Sequence, residues 1–477
     1  MGNRAEKLKN ISSFENKIKA VNKTAEVYFG IFCEGTGNHK DSAAEGEKKR
    51  KEGIDTSKWE PPYNVAKSNV TMLHDIYDIE TEKYIGRIYI EGVGVSEDGT
   101  DTSTYGLATG MGDYGIHKKV ESAITKIKAK IKGKKVPTNS RVNLHIDVFG
   151  FSRGTAVARF LIGTLRQKRM EISKSLSAGS TLNIVFDFVG LYDSVSAYGV
   201  TSGIKTGAIV GGTAIGSFGG PVTAAVGGAA ANQLPSFDNN VKDLQLDAVQ
   251  YAKKVFQICA ADEFRENFAL TNIKSVGTNG LEIFLPGCHT DIGGGYLSGR
   301  GETLQKGYLN DEDTVLLQNV EPSWTNRPGN YDMCYELGSF IRFGWARTTP
   351  DEEYTFSEKG ELTFSNNMKG KKGYYPYLTL ELMKEEACKQ RSTMFTDIKS
   401  NNKTPAALEF IKKEALNCTS IYICREKFID KYKDLTKDWL HFSAKHIKIK
   451  DDKVKGALDP FAPRVVNKIL KREIVNG

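Results

Sequence analysis

Histidine and cysteine are both scarce here, with seven of each among 477 residues. The cysteines (33, 259, 288, 334, 388, 418 and 424) are odd in number and scattered, without the close pairs of a zinc site. That pattern excludes a disulfide framework or a structural metal as the organising principle, and they read as small buried hydrophobes. The start of the sequence lacks an apolar run followed by a small-residue cleavage site, so no Sec signal peptide is expected and the chain reads as a cytoplasmic product. The motifs GxxxxGK[ST] and GxGxxG are absent, which sets nucleotide binding behind other readings. A massed charge is also missing. The net +8 is spread out, although Arg4, Lys7, Lys9, Lys17, Lys19 and Lys23 and the stretch 126–135 are locally basic. Scattered lysines read as solvated surface, with no nucleic-acid partner.

What is abundant is glycine, 47 residues, within a chain that is 39% hydrophobic. This fits a folded, loop-rich protein long enough for one large core with insertions or for two domains. Short apolar runs at Val27–Phe32, Arg87–Ile90, Leu144–Phe149, Leu182–Val189, Val255–Ala260 and Leu281–Leu285 alternate with helical patterns. Strands separated by helical crossovers predict an α/β fold around a mostly parallel sheet. One crossover is explicit: Val120, Ile124, Ile127 and Ile131 form a stripe at helical spacing, ended by Gly133 and Pro137.

From Thr206 to Phe237 the chain carries no charge and is dense in glycine and alanine, with small residues four apart. It approaches the length of a membrane span, but its glycines and Pro221 argue against a stable transmembrane helix, leaving an apolar lid or interfacial loop as the favoured reading. Beyond Tyr296 the strand and helix alternation stops. Tyr354, Phe356, Leu362 and Phe364 alternate around Lys359-Gly360 as a hairpin would, and Thr404-Pro405 reads as the N-cap and first-turn proline of a helix. The expected organisation is a core over 25–300, an apolar insertion over 200–238, and an additional C-terminal region over 301–477.

The chemistry concentrates in "HIDVFGFSRGTAVARFL". A strand that turns sharply into a helix strains its central residue and leaves no room for side chains two positions to either side, so glycine is needed at both. Gly150 and Gly154 bracket Ser152 in this way, with an apolar run before and helix formers after, which makes Ser152 a candidate nucleophile on a nucleophile elbow. A serine needs a base. In this fold the histidine follows the last core strand; His441 and His446 lie in an amphipathic stretch far from any core strand, whereas His289 follows "LEIFLPGC" directly. His145, inside a strand, reads as a core residue. Two carboxylates are candidates for the acid: Asp193, favoured at the tip of "IVFDFVGLYD", and Asp262 at the end of the next strand, where neighbouring charges would engage it in an ion pair. Asp291 reads as a brace for the glycine turn. An oxyanion hole takes the N–H after the nucleophile, Arg153, and another from the glycine-rich turn after the first strand, at Gly35 or Thr36.

The blocks "CEGTGN", "YIEGVGV", "FGFSRGTAVARF", "FVGLYDSV", "ADEFRENF" and "FLPGCHTDIGGGY", in this order from Val27 to Tyr296, resemble the phospholipase effectors of bacterial type VI secretion, the first family of type VI lipase effectors. The resemblance implies an α/β-hydrolase with Ser152, Asp193 and His289 as its triad, working without metal or cofactor on membrane glycerophospholipid esters. It further implies secretion without a signal peptide, action at a target cell's membranes in the periplasm, a secretion-spike partner and a cognate immunity protein. Glu34 stands where that family usually has aspartate. Two other classes share these features: an esterase of soluble esters, and a membrane-perturbing protein acting through 206–237.

Overall fold

The computed structural model describes residues 23–80, 84–198, 240–265, 267–297, 372–417 and 472–477, with short strands and helical pieces between them. All six predicted strands form: β1 (Lys23–Cys33), β2 (Ile85–Ile90), β3 (Ser140–Phe151), β4 (Thr181–Tyr192), β5 (Ala252–Ala260) and β6 (Gly280–Leu285). They make one sheet in the order β2-β1-β3-β4-β5-β6 with every pairing parallel. A parallel sheet must be covered on both faces, because each crossover lays a helix across it. Alternation along the strands sends Val27, Phe29 and Ile31 of β1 to one face, under α2 (Ile116–Gly133) and α3 (Arg153–Gln167). The stripe Val120, Ile124, Ile127 and Ile131 is buried there, as its spacing predicts. Phe32 of β1 and Phe149 of β3 point to the other face, where α1 (Asn69–Ile76) packs.

That second face corrects the expected organisation. The helix α5 (Pro376–Cys388) buries Leu378, Leu380, Leu382 and Met383 in the same cluster as Phe149 and Phe256, so these residues beyond 301 complete the core rather than standing apart from it. The hairpin forms, with Tyr354 opposite Phe364 and Phe356 opposite Leu362. Thr404 does not cap: its hydroxyl donates to Glu381 Oε2 (2.7 Å), and the helix after Pro405 opens as a 3-10 turn over Ala406–Leu408. Of the insertion, the strands Ile209–Thr213 and Thr223–Val226 pair antiparallel, and the second lies against the short helix Thr104–Thr109. The rest of it, the basic residues from Arg4 to Lys19, His441 and His446 lie outside the described residues. In the basic stretch 126–135, Lys126 pairs with Glu91 and Glu97 and Lys128 with Glu171, the behaviour of a solvated surface. Cys33, Cys259 and Cys288 are buried free thiols. No helix among the described residues is long and apolar enough to cross a membrane.

Under the sheet's β5–β6 side, Glu282 is buried and accepts from Gln257 Nε2 (2.9 Å) and Ile273 N (3.1 Å). Burial pushes its carboxyl up to about 7, against the pull of those donors and of Arg159. An acid raised in the fold costs stability as pH climbs from its ordinary value through the raised one, with the full cost present above it. Glu282→Gln keeps an acceptor for both donors. It is expected to stabilise the protein by about 3 kcal/mol near pH 8 and to be neutral near pH 4, as read from unfolding curves at the two values.

Candidate active site

Ser152 stands between β3 and α3 with φ 56° and ψ −131°, a strained conformation for a residue with a side chain. What forces it is the crowding on both sides. A Cβ at Gly154 would sit 2.3 Å from the Cys33 carbonyl oxygen and 2.4 Å from that of Glu34, and one at Gly150 would meet the Gly154 carbonyl at 2.8 Å. The turn is tied across the sheet by Ser152 N donating to Tyr192 O (3.2 Å) and Val195 N donating to Ser152 O (3.4 Å), which puts the serine beside the end of β4.

Asp193 follows β4 directly, fully buried and also at positive φ (44°). His289, the first residue of the short helix α4 (His289–Gly293) after β6, donates Nδ1–H to Asp193 Oδ2 at 2.5 Å. With Nδ1 holding the proton, Nε2 is left as the acceptor. It is buried and has no hydrogen-bond partner among the described residues. The ring packs against Phe151, next to Ser152, and against Phe268, at centroid distances of 4.7 and 5.0 Å. Burial pulls the imidazole below its ordinary range, against the opposing pull of Asp193, so it is neutral and able to accept a proton at neutral pH.

The alternative acid is elsewhere. Asp262 Oδ2 accepts from Gly287 N (2.6 Å), bracing the turn after β6, and Asp291 Oδ2 accepts from Cys288 N (2.9 Å) in the brace expected of it. Beside it, Glu263 and Arg265 pair at 2.8 Å, both buried, and His289 N donates to Glu263 Oε2 at 3.3 Å.

The glycine-rich turn after β1 lies against the elbow, as the contact at Gly154 requires. Gly35 drops out as an oxyanion donor because its N–H is given to Glu34 Oε1 (2.9 Å). Thr36 remains, its Oγ1 accepting from Arg153 Nε (2.8 Å), and the Arg153 N–H belongs to the first turn of α3, where a helix leaves amides without an internal partner. Glu34 acquires a role the sequence left open. Its second oxygen accepts from Ser68 Oγ (2.7 Å) and Thr71 Oγ1 (2.6 Å), so it fastens the turn to the start of α1.

One contact was invisible beforehand. Arg472 sends Nη1 to Asp193 Oδ1 (2.7 Å) and Nη2 to Asp193 Oδ2 (2.8 Å) from the far end of the sequence. Burial alone would raise the Asp193 carboxyl; Arg472 first, and then His289, hold it well below the usual carboxylate range. His145, as expected of a strand residue, is bound into a structural cluster with Asp187 (2.6 Å) and Glu26 (2.7 Å).

Residues 164–311 match the family described as "T6SS, Phospholipase effector Tle1-like, catalytic domain", a range that takes in Asp193 and His289 and begins after Ser152. No curated protein matches the chain. Among solved structures it is similar to the Tle1 effector bound to the VgrG spike from the type 6 secretion system: 19% identity, TM-score 0.52, covering 89% of this chain and 85% of that one. An uncharacterized protein from Pseudomonas aeruginosa aligns over 91% of this chain and 53% of its own at 14% identity and TM-score 0.36. The likeness to the Tle1 effector supports the α/β architecture, and the stretch 164–311 is similar to the catalytic domain of the Tle1-like phospholipase effectors of type VI secretion.

Proposed function

We propose that this protein is a serine-dependent phospholipase of the A type. Ser152 Oγ attacks an acyl ester carbonyl while its proton passes to His289 Nε2; the Thr36 and Arg153 amides bind the oxyanion. Collapse expels the lysophospholipid alcohol with the proton from His289, and water, deprotonated in turn by His289, releases the fatty acid. The carrying observation is the 2.5 Å Asp193–His289 hydrogen bond beside a serine held at positive φ. The match over 164–311 and the likeness to a spike-bound effector support delivery by type VI secretion on a spike protein; the proposal extends to action as an antibacterial toxin at the periplasmic face of a target membrane and to a cognate immunity protein. The test is fatty-acid release from phospholipid vesicles by wild type and Ser152→Ala. Release by the wild type alone supports the reading, whereas turnover of short soluble esters without vesicle hydrolysis would make it an esterase.

The charge-free stretch 206–237 read from the sequence as an apolar cover falls mostly outside the described residues. It begins about a dozen residues after Asp193, and its strand Thr223–Val226 lies against the helix Thr104–Thr109, whose Leu107 carbonyl accepts from the Arg153 guanidinium. A stretch without charge meets a bilayer with no charge to desolvate. Aspartates at both Ile209 and Val210 are therefore expected to cut vesicle hydrolysis much more than hydrolysis of a short ester. Equal loss on both substrates would point to core damage, and no loss to a passive loop.

A further inference from the structure

The segment 472–477 is added to the molecule as a strand. Ile474 and Val475 pair in parallel with Leu270 and Thr271, Leu270 N donates to Glu473 O (2.8 Å), Asn272 N to Val475 O (2.9 Å), and Ser275 N to Gly477 O (3.1 Å). At its head, Arg472 is 1% exposed. Every part of its fork is engaged: besides the two oxygens of Asp193, Nη1 donates to Ala260 O (3.2 Å) and Nε to Phe268 O (2.8 Å).

We propose that Arg472 is a positioning residue of the hydrolytic site, a buried counter-charge that fixes the Asp193 carboxylate toward His289 and neutralises it. The proposal rests on the triad reading above. Planar bidentate pairing holds both carboxylate oxygens at once, whereas the imidazole reaches only Oδ2 and the Ala260 N–H only Oδ1. The charges also close: Asp193 with Arg472 and Glu263 with Arg265 form two neutral pairs around His289. The Cys259 thiol nearby is kept protonated by burial. Asp262 and Asp291 are held by the Gly287 and Cys288 amides, which a change at 472 does not touch.

Removing the guanidinium charge leaves a net negative site. The imidazolium is then favoured, His289 keeps its proton to higher pH, and the acid limb of the kcat/KM profile moves up. The experiment compares wild type, Arg472→Gln and Arg472→Lys as full chains on a short soluble ester from about pH 5 to about pH 9. Arg472→Gln is expected to shift the acid limb upward by about one pH unit, losing roughly tenfold near pH 6 and recovering toward pH 9. Arg472→Lys keeps the charge without the fork, so its limb stays at the wild-type position while its rate falls at every pH. Equal loss at all pH values in Arg472→Gln overturns the proposal, as does a limb in Arg472→Lys displaced like that of the glutamine variant. Should Arg472→Gln not fold, the lysine variant decides alone by the position of its limb. Labelling of wild-type Ser152 by a fluorophosphonate separates the two failures. A wild type that neither labels nor hydrolyses ester takes down the triad reading itself, whereas a labelled wild type with a pH-independent loss in Arg472→Gln takes down only the role of Arg472.

Discussion

Ser152→Ala and His289→Ala are each expected to lower ester hydrolysis by about a thousandfold or more while the protein stays folded. Nucleophile and base act on the same proton, so losing either one removes the covalent route, and what remains comes from substrate binding and the oxyanion amides. Neither change removes a support of the fold. The elbow is held by backbone bonds through Ser152 N and O and by the closeness of Gly150 and Gly154 to their neighbours, none of which involves the hydroxyl. Without the imidazole, Asp193 still has Arg472 and the Ala260 amide as partners. Steady-state hydrolysis beside a thermal melt checks both statements, and near-wild-type turnover in either folded variant would remove the hydrolase reading.

Asp193→Asn is expected to cost about four orders of magnitude in turnover, and Asp262→Asn no more than about tenfold. The asparagine amide at 193 has one oxygen for three donors, Arg472, His289 and Ala260 N. If its nitrogen faces the ring, Nδ1 must become the acceptor and the proton moves to Nε2, where it blocks general-base action. If its nitrogen faces the guanidinium, two donors meet in a buried site. At 262 the carboxylate oxygen accepts from Gly287 N, and an asparagine oxygen accepts equally well. The reverse ranking would move the acid to the end of β5 and leave Ser152 and His289 unchanged.

The sheet was legible because each strand is a short apolar run set off by polar or glycine-rich stretches. The elbow was legible because steric necessity writes glycine at two fixed offsets from the serine. Elimination singled out His289 only because histidine is rare. The helix α5 escaped notice for a physical reason: Leu378, Thr379, Leu380, Leu382 and Met383 are buried on nearly all sides, so no polar face alternates with an apolar one to mark a helical period. The Gly35–Glu34 contact was not legible because it depends on where the Glu34 side chain turns, and Ser68 and Thr71, more than thirty residues away, hold that side chain's other oxygen. Arg472 has no local signal at all. It lies 279 residues from Asp193, and only the short parallel pairing at Leu270–Thr271 brings it in.

That late position has a consequence for biosynthesis. Translation delivers Ser152, Asp193 and His289 before Arg472, with 183 residues (472 − 289) separating the last of the three from the arginine. At ~5–20 residues per second the growing chain therefore spends ~10–40 s with the three residues of the proposed triad made and Arg472 not yet synthesised. Ribosome-stalled chains that stop short of residue 472 are expected to react with a fluorophosphonate at Ser152 more slowly, near neutral pH, than the released protein.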